Sequence, residues 1–124
     1  MKTYRVTVDN NGTKRWYNEQ GQLHRENGPA IEWAEGIKSW YINGQRHRED
    51  GPAIEYASGD KYWFINGQRH REDGPAIEYA SGDKYWYLNG EELTEAEFNT
   101  RIKQSSCDGK VVEIDGKKYR LQAL

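Results

Sequence analysis

The chain carries a single cysteine, Cys107, one methionine and only three prolines in 124 residues. One cysteine excludes an intramolecular disulfide and fits a reducing compartment. No apolar run approaches the ~18 residues of a membrane span. The opening Met1-Lys2-Thr3-Tyr4-Arg5 leads into no signal-peptide core, so a cytoplasmic chain without membrane contact is expected. An excess of one charge sign is also missing. Eighteen Lys and Arg stand against twenty Asp and Glu, a net charge of −2. That balance makes neither a polycation built for phosphate nor a polyanionic mimic, and nucleic acid is a disfavoured partner. Aliphatic side chains are scarce as well, so no thick globular core is available to what its length marks as one domain.

What the chain does have is aromatic: five Trp and nine Tyr. Disordered segments are depleted in these residues, whereas half-buried sheets favour them. They are distributed by a repeat. A 23-residue unit recurs at 21–43, 44–66 and 67–89, and its second and third copies differ only at Phe64 versus Tyr87 and Ile65 versus Leu88. A degenerate copy at 4–20 precedes them, its tail Asn18-Glu19-Gln20-Gly21 one residue out of register. Periodicity on this scale points to a repeat array.

Within a unit, Ala53-Ile54-Glu55-Tyr56 and Lys61-Tyr62-Trp63-Phe64-Ile65 read as two short strands around Ala57-Ser58-Gly59-Asp60, a β-hairpin. Asn66-Gly67 then marks a tight turn, because both residues tolerate positive φ. Pro75 suits the first residue of a strand, where no ladder donor is needed. With Ser58-Gly59 as the two central turn residues, Ile54 faces Trp63, Glu55 faces Tyr62 and Ala53 faces Phe64. The period of two then puts Ile54, Tyr56, Trp63 and Ile65 on a buried face and the row Tyr41, Phe64 and Tyr87 on an exposed one. After residue 92 the pattern changes. Leu93-Thr94-Glu95-Ala96-Glu97-Phe98 carries a capping box, Thr94 with Glu97, and a Leu93–Phe98 staple, which predicts a helix of about two turns ending near Arg101 or Ile102. Lys103–Ser106 reads as a loop. Val111–Ile114 and Lys117–Leu121 form a last hairpin around Asp115-Gly116, with Val112 facing Tyr119 and Glu113 facing Lys118. The expected class is therefore mainly β: tandem antiparallel β-hairpin repeats over 1–92 in an elongated twisted meander, then a short C-terminal helix and terminal β-hairpin over 93–124 acting as a cap.

Tandem 23-residue hairpins with Gly and aromatic residues at fixed offsets resemble MORN-type repeats over roughly residues 4 to 92, although the Tyr-Gly and His-Gly pairs of that family are absent. The string His-Arg-Glu-Asp-Gly-Pro-Ala at His47–Ala53 and His70–Ala76, with Asn27 for Asp at His24–Ala30, is similar to a repeat of small tailed-bacteriophage proteins. The ending Gly109–Tyr119 is similar to tails of phage proteins. The resemblance implies an accessory protein in the cytoplasm of an infected bacterial host, among which are inhibitors of host defence such as anti-CRISPR proteins. It carries over no catalytic residues.

His24, His47 and His70, one per unit, are tempting as reagents or metal ligands. Equivalent residues of successive two-stranded units stand on the order of 10 Å apart, twice the strand spacing. Zinc ligands must all lie ~2 Å from one ion, and a retaining glycosidase pair needs ~5 Å, so neither the histidines nor Glu32, Glu55 and Glu78 converge. No enzyme activity, metal or cofactor is expected. The His-Arg-Glu string reads as a structural rung in which Arg and Glu pair and the imidazole satisfies a backbone group. The candidate binding residues are Tyr41, Phe64 and Tyr87, flanked by Tyr62 and Tyr85, with Arg46 and Arg69 as polar anchors and Phe98 and Tyr119 from the tail. The leading expectation is a non-enzymatic module that binds a host bacterial protein. The alternatives are a carbohydrate-binding or structural accessory of a virion, and a homodimer through open sheet edges.

Overall fold

The computed structural model describes residues 4–107, 111–114 and 117–120, with side chains described through Gln104. The protein is mainly β. Its strands are β1 (Arg5–Val8), β2 (Lys14–Tyr17), β3 (Ile31–Glu32), β4 (Lys38–Ser39), β5 (Tyr41–Ile42), β6 (Gln45–Arg46), β7 (Ile54–Glu55) and β8 (Lys61–Tyr62). They continue as β9 (Phe64–Ile65), β10 (Gln68–Arg69), β11 (Ile77–Glu78), β12 (Lys84–Leu88) and β13 (Glu91–Leu93), then helix α1 (Glu95–Cys107), β14 (Val111–Ile114) and β15 (Lys117–Arg120). Nine strands form one antiparallel sheet in the order β1-β2-β3-β4-β7-β8-β11-β12-β13, and β5-β6, β9-β10 and β14-β15 are two-stranded ribbons.

The register of the large sheet differs from the sequence expectation by one residue. Ile54 lies opposite Tyr62 and Glu55 opposite Lys61. The reason is the turn. Gly59 donates its N–H to Tyr56 O and Tyr56 donates to Asp60 O, each at 3.0 Å, so the loop has three residues, Ala57-Ser58-Gly59, with Gly59 at φ 102°. A turn followed by a left-handed glycine is the three-residue hairpin loop with a bulge, not a two-residue turn. The same bonds close the loops ending at Gly12, Gly36 and Gly82.

One residue of register exchanges the faces of a strand. Two cross-strand ladders result. On one face charges alternate through Lys14, Glu32, Lys38, Glu55, Lys61, Glu78 and Lys84. The other face carries Arg15, Ile31, Ser39, Ile54, Tyr62, Ile77 and Tyr85. Opposite charges directly across a ladder contribute roughly 0.2–1 kcal/mol each, and a one-residue slip would set Lys61 against an aromatic neighbour.

In the first two 23-residue units the chain turns a corner at Trp40 and at Trp63, whereas in the third Trp86 lies within the continuous strand β12. Trp40 donates its N–H to Ala53 O in the large sheet, while its C=O accepts from His47 N, in the chain that leaves the side ribbon β5-β6. Trp63 does the same with Ala76 and His70. Asn-Gly turns close β5-β6, β9-β10 and β12-β13, with Asn43, Asn66 and Asn89 at φ 49°, 50° and 50°. Gln68-Arg69, expected as connection, is the returning strand of such a turn. In the degenerate copy the extra residue makes the turn a three-residue loop: Gly21 N bonds Asn18 O and Asn18 N bonds Gln22 O. Buried Asn18 accepts N–H from Gln20 and Gln22 and donates to Asn43 Oδ1 of the next turn.

The tail begins as its residues dictate. Thr94 N–H donates to Glu97 Oε1 at 2.9 Å and Glu97 N–H to Thr94 Oγ1 at 3.1 Å, a reciprocal capping box. Leu93 and Phe98 are both buried. Helix α1 runs 13 residues to Cys107, so Lys103–Ser106, expected as loop, is helical. Arg101 clamps Glu91 of β13 through both terminal nitrogens, at 3.0 and 3.2 Å. In the last ribbon Val112 pairs Tyr119 and Glu113 pairs Lys118, the expected register; the Asp115-Gly116 turn lies outside the described residues.

Candidate functional site

The His-Arg-Glu-Asp-Gly-Pro-Ala string builds a rung around arginine. The guanidinium carbons of Arg25, Arg48 and Arg71 each lie 3.9 Å from the ring centroid of Trp16, Trp40 and Trp63. Their Nη1 atoms donate to Pro29 O, Pro52 O and Pro75 O at 3.2, 3.1 and 3.1 Å. Arg48 Nε donates to Asp50 at 3.0 Å and Arg71 Nε to Asp73 at 2.7 Å. Arg71 Nη1 also reaches Glu78 at 3.1 Å. The glycine of the string faces the same group: a Cβ on Gly51 would stand 2.9 Å from Arg48 Cζ. An arginine tip ordinarily yields, but this one is stacked and hydrogen-bonded on several sides, so glycine is what leaves it room.

The histidines complete the rung. Nδ1 of His24, His47 and His70 accepts the N–H of Asn43, Asn66 and Asn89 at 2.9, 3.0 and 2.9 Å, holding the first residue of each Asn-Gly turn. Acceptance requires an unprotonated Nδ1, which leaves the proton of the neutral ring on Nε2. That nitrogen lies 3.5, 3.5 and 3.9 Å from Glu26, Glu49 and Glu72. Between successive rungs lie open grooves repeating with the unit, one lined by Arg25, Trp40, His47 and Arg48 and the next by Arg48, Trp63, His70 and Arg71. Among the described residues no group of three His, Cys, Asp or Glu is arranged to hold a metal ion, and no helix is long and apolar enough to cross a membrane.

The expected exposed row is not exposed. Phe64 is buried with Ala53 and Ile54, and Ile37, Trp40 and Tyr62 pack against that cluster. Tyr41 and Tyr87 are half-buried. Arg46 lies over Tyr41 and Phe64 at 5.5 and 5.7 Å, and Arg69 over Tyr87 at 5.4 Å. Phe64 joins the cluster of Ile54, on the face to which the three-residue loop brings Tyr62. Arg46 and Arg69 themselves are exposed. Phe98 serves the interior of the helix cap at 4% exposure and offers no contact surface. The Tyr119 side chain lies outside the described side chains.

Apart from Tyr4, which is 48% exposed and stacks on His24, accessible aromatic surface lies on the isoleucine face of the large sheet. Tyr56, Tyr62, Tyr79 and Tyr85 form one continuous edge-to-face row, with ring centroids 5.5, 5.9 and 5.7 Å apart. Its outer members Tyr56 and Tyr85 are 38% and 40% exposed. Side-chain hydrogen bonding to Tyr79, then burial, hold the Tyr62 phenol well above the usual tyrosine range. Tyr62 and Tyr85 are candidates from the sequence, but the two-residue turn sets them on the face opposite Ile54 and Ile77, whereas the three-residue loop brings them beside Tyr56 and Tyr79. The charge ladder is the signal that would have corrected this, because it sets Glu55 against Lys61. In the first unit the row is absent, with Trp33 and Ser39 at the positions of Tyr56 and Tyr62.

Comparison of the chain with protein-family models, with curated proteins and with solved structures finds no match.

Proposed function

We propose that this chain is a non-enzymatic protein-binding module of MORN-like hairpin repeats, and that its docking surface is the row Tyr56, Tyr62, Tyr79 and Tyr85. The observation that carries the reading is the row's continuity: four phenols in edge-to-face contact with both ends open to solvent. Tyrosine gives large, stiff, amphipathic contact area at low entropic cost, and aromatic residues dominate the energetic centres of protein interfaces. The rung residues are engaged with one another, which supports reading them as scaffold. Similarity of the His-Arg-Glu-Asp-Gly-Pro-Ala string to phage proteins extends the reading to a partner in the cytoplasm of a bacterial host, a component of a defence system such as a CRISPR effector, blocked by occupation.

The test is affinity capture from bacterial lysate with the wild-type chain and with Tyr56→Ser/Tyr79→Ser/Tyr85→Ser. The triple variant is expected to lose the captured protein while keeping its circular dichroism. Equal capture by both overturns the assignment of the surface.

A further inference from the structure

The two edges of the nine-stranded sheet are unlike. β13 lies under helix α1, tied to it by the Arg101–Glu91 pair, and carries Glu91 and Glu92. Charge and a covering helix are common ways of blunting an edge. β1 has neither. Among the described residues it pairs only with β2, and its Val6 and Val8 are 50% and 62% exposed.

The hydrogen-bonding direction along β1 follows from one bond. Asp9 N–H donates to Thr13 O, toward the β2 side. Alternate residues of an antiparallel strand point their N–H and C=O the same way, so Thr7 and Arg5 also face β2, and Val6 and Val8 aim theirs at the open edge. The sequence Arg5-Val6-Thr7-Val8-Asp9 is self-complementary about Thr7. Set against an antiparallel copy of itself, Val6 meets Val8, Thr7 meets Thr7, and Arg5 meets Asp9. This register makes Val6 and Val8 of each strand exchange their outward N–H and C=O groups, four bonds in all. It also gathers four valines on one face and places opposite charges at both ends. The parity is that of a two-fold axis perpendicular to the sheet, an isologous interface.

We infer that a second copy of this chain docks on β1, edge to edge in this register, joining two nine-stranded sheets into one. The contact is separate from the tyrosine row and does not depend on it. Arg5 is exposed and lies 4.7 Å over the Tyr17 ring of its own chain; Asp9 is already bonded to Arg15 at 2.9 Å. Arg5 is therefore the end charge free to steer the pairing.

Sedimentation velocity of the full chain from about 1 µM to about 1 mM is expected to show a reversible monomer–dimer equilibrium in this range. Val8→Pro removes an outward N–H that the protomer does not use, a change an edge strand tolerates, and is expected to weaken dimerisation by about tenfold or more. Should that variant misfold, amide exchange of the unaltered chain decides. Val6 and Val8 amides are expected to become protected as concentration rises, whereas Thr7, already bonded to β2, is protected throughout. A chain that stays monomeric across the range overturns the inference, as does a dimer whose Val6 and Val8 amides exchange at the monomer's rate.

Discussion

The two sides of the repeat array are built by opposite rules. On the rung side the unit is nearly invariant: His24, Arg25, Gly28, Pro29, Trp40 and Asn43 recur in all three 23-residue copies, and they are tied to one another and to the neighbouring unit. On the isoleucine side the first copy departs, with Trp33, Ile37 and Ser39 where the second has Tyr56, Asp60 and Tyr62. Positions that hold one unit to the next cannot vary independently, because each guanidinium needs its tryptophan, carbonyl and glycine together. Positions on the isoleucine side answer to packing against their own neighbours. Repetition thus marks scaffold on the rung side, while the isoleucine side tolerates departure from it.

The comparison can be broken hardest at the rung. Trp63→Ala removes the ring beneath Arg71 and a half-buried corner residue; a loss of about 3 kcal/mol is expected in urea unfolding. A loss below about 1 kcal/mol would mean the rung is decoration. His24→Phe keeps the ring shape but leaves Asn43 N–H without its acceptor. His24 is buried, whereas His47 and His70 are half-buried. The first should therefore cost about 1–3 kcal/mol and the same change at His70 less, since water can replace the acceptor there. Equal losses would contradict that reading of burial.

The isoleucine side allows a gain. Ser39 is fully buried and, among the described residues, its Oγ has no hydrogen-bond partner. Ser39→Ala removes an unsatisfied hydroxyl and should stabilise by about 1 kcal/mol, visible as a raised Tm; a lowered Tm would show that the hydroxyl has a partner. The smallest effect belongs to the cap. Hydrogen bonds from the Thr94 backbone and side chain hold the Glu97 carboxyl below its ordinary 4.5. A depressed carboxylate contributes stability above its unfolded value and loses it as pH falls through the folded one. Helix ellipticity should therefore fall as pH drops below about 4.5, and Glu97→Gln should flatten that dependence.

Much of this was legible locally. The Asn-Gly turns follow from residues that tolerate positive φ, and the capping box from Thr94 and Glu97, since each involves neighbours in the chain. The register of the large sheet was not, because Ala57-Ser58-Gly59-Asp60 accommodates a two-residue or a three-residue loop and the choice lies in the φ of Gly59. From that one residue followed the wrong face for Tyr62, Phe64 and Tyr85 relative to the isoleucines. The helix outran its expected end at Ile102, where Lys103–Ser106 carries no breaker to stop it. The arginine–tryptophan stack was missed since its members are 8 or 9 residues apart, farther than any turn rule reaches.

By itself the sequence determined the unit, its two hairpin turns and the helix start, because these are set by backbone preferences and short-range bonds that each segment carries with it. Only the tertiary structure decided which aromatic residues are accessible. Accessibility depends on how one unit's corner folds against the next, and a period-two pattern is silent on that until one register is chosen.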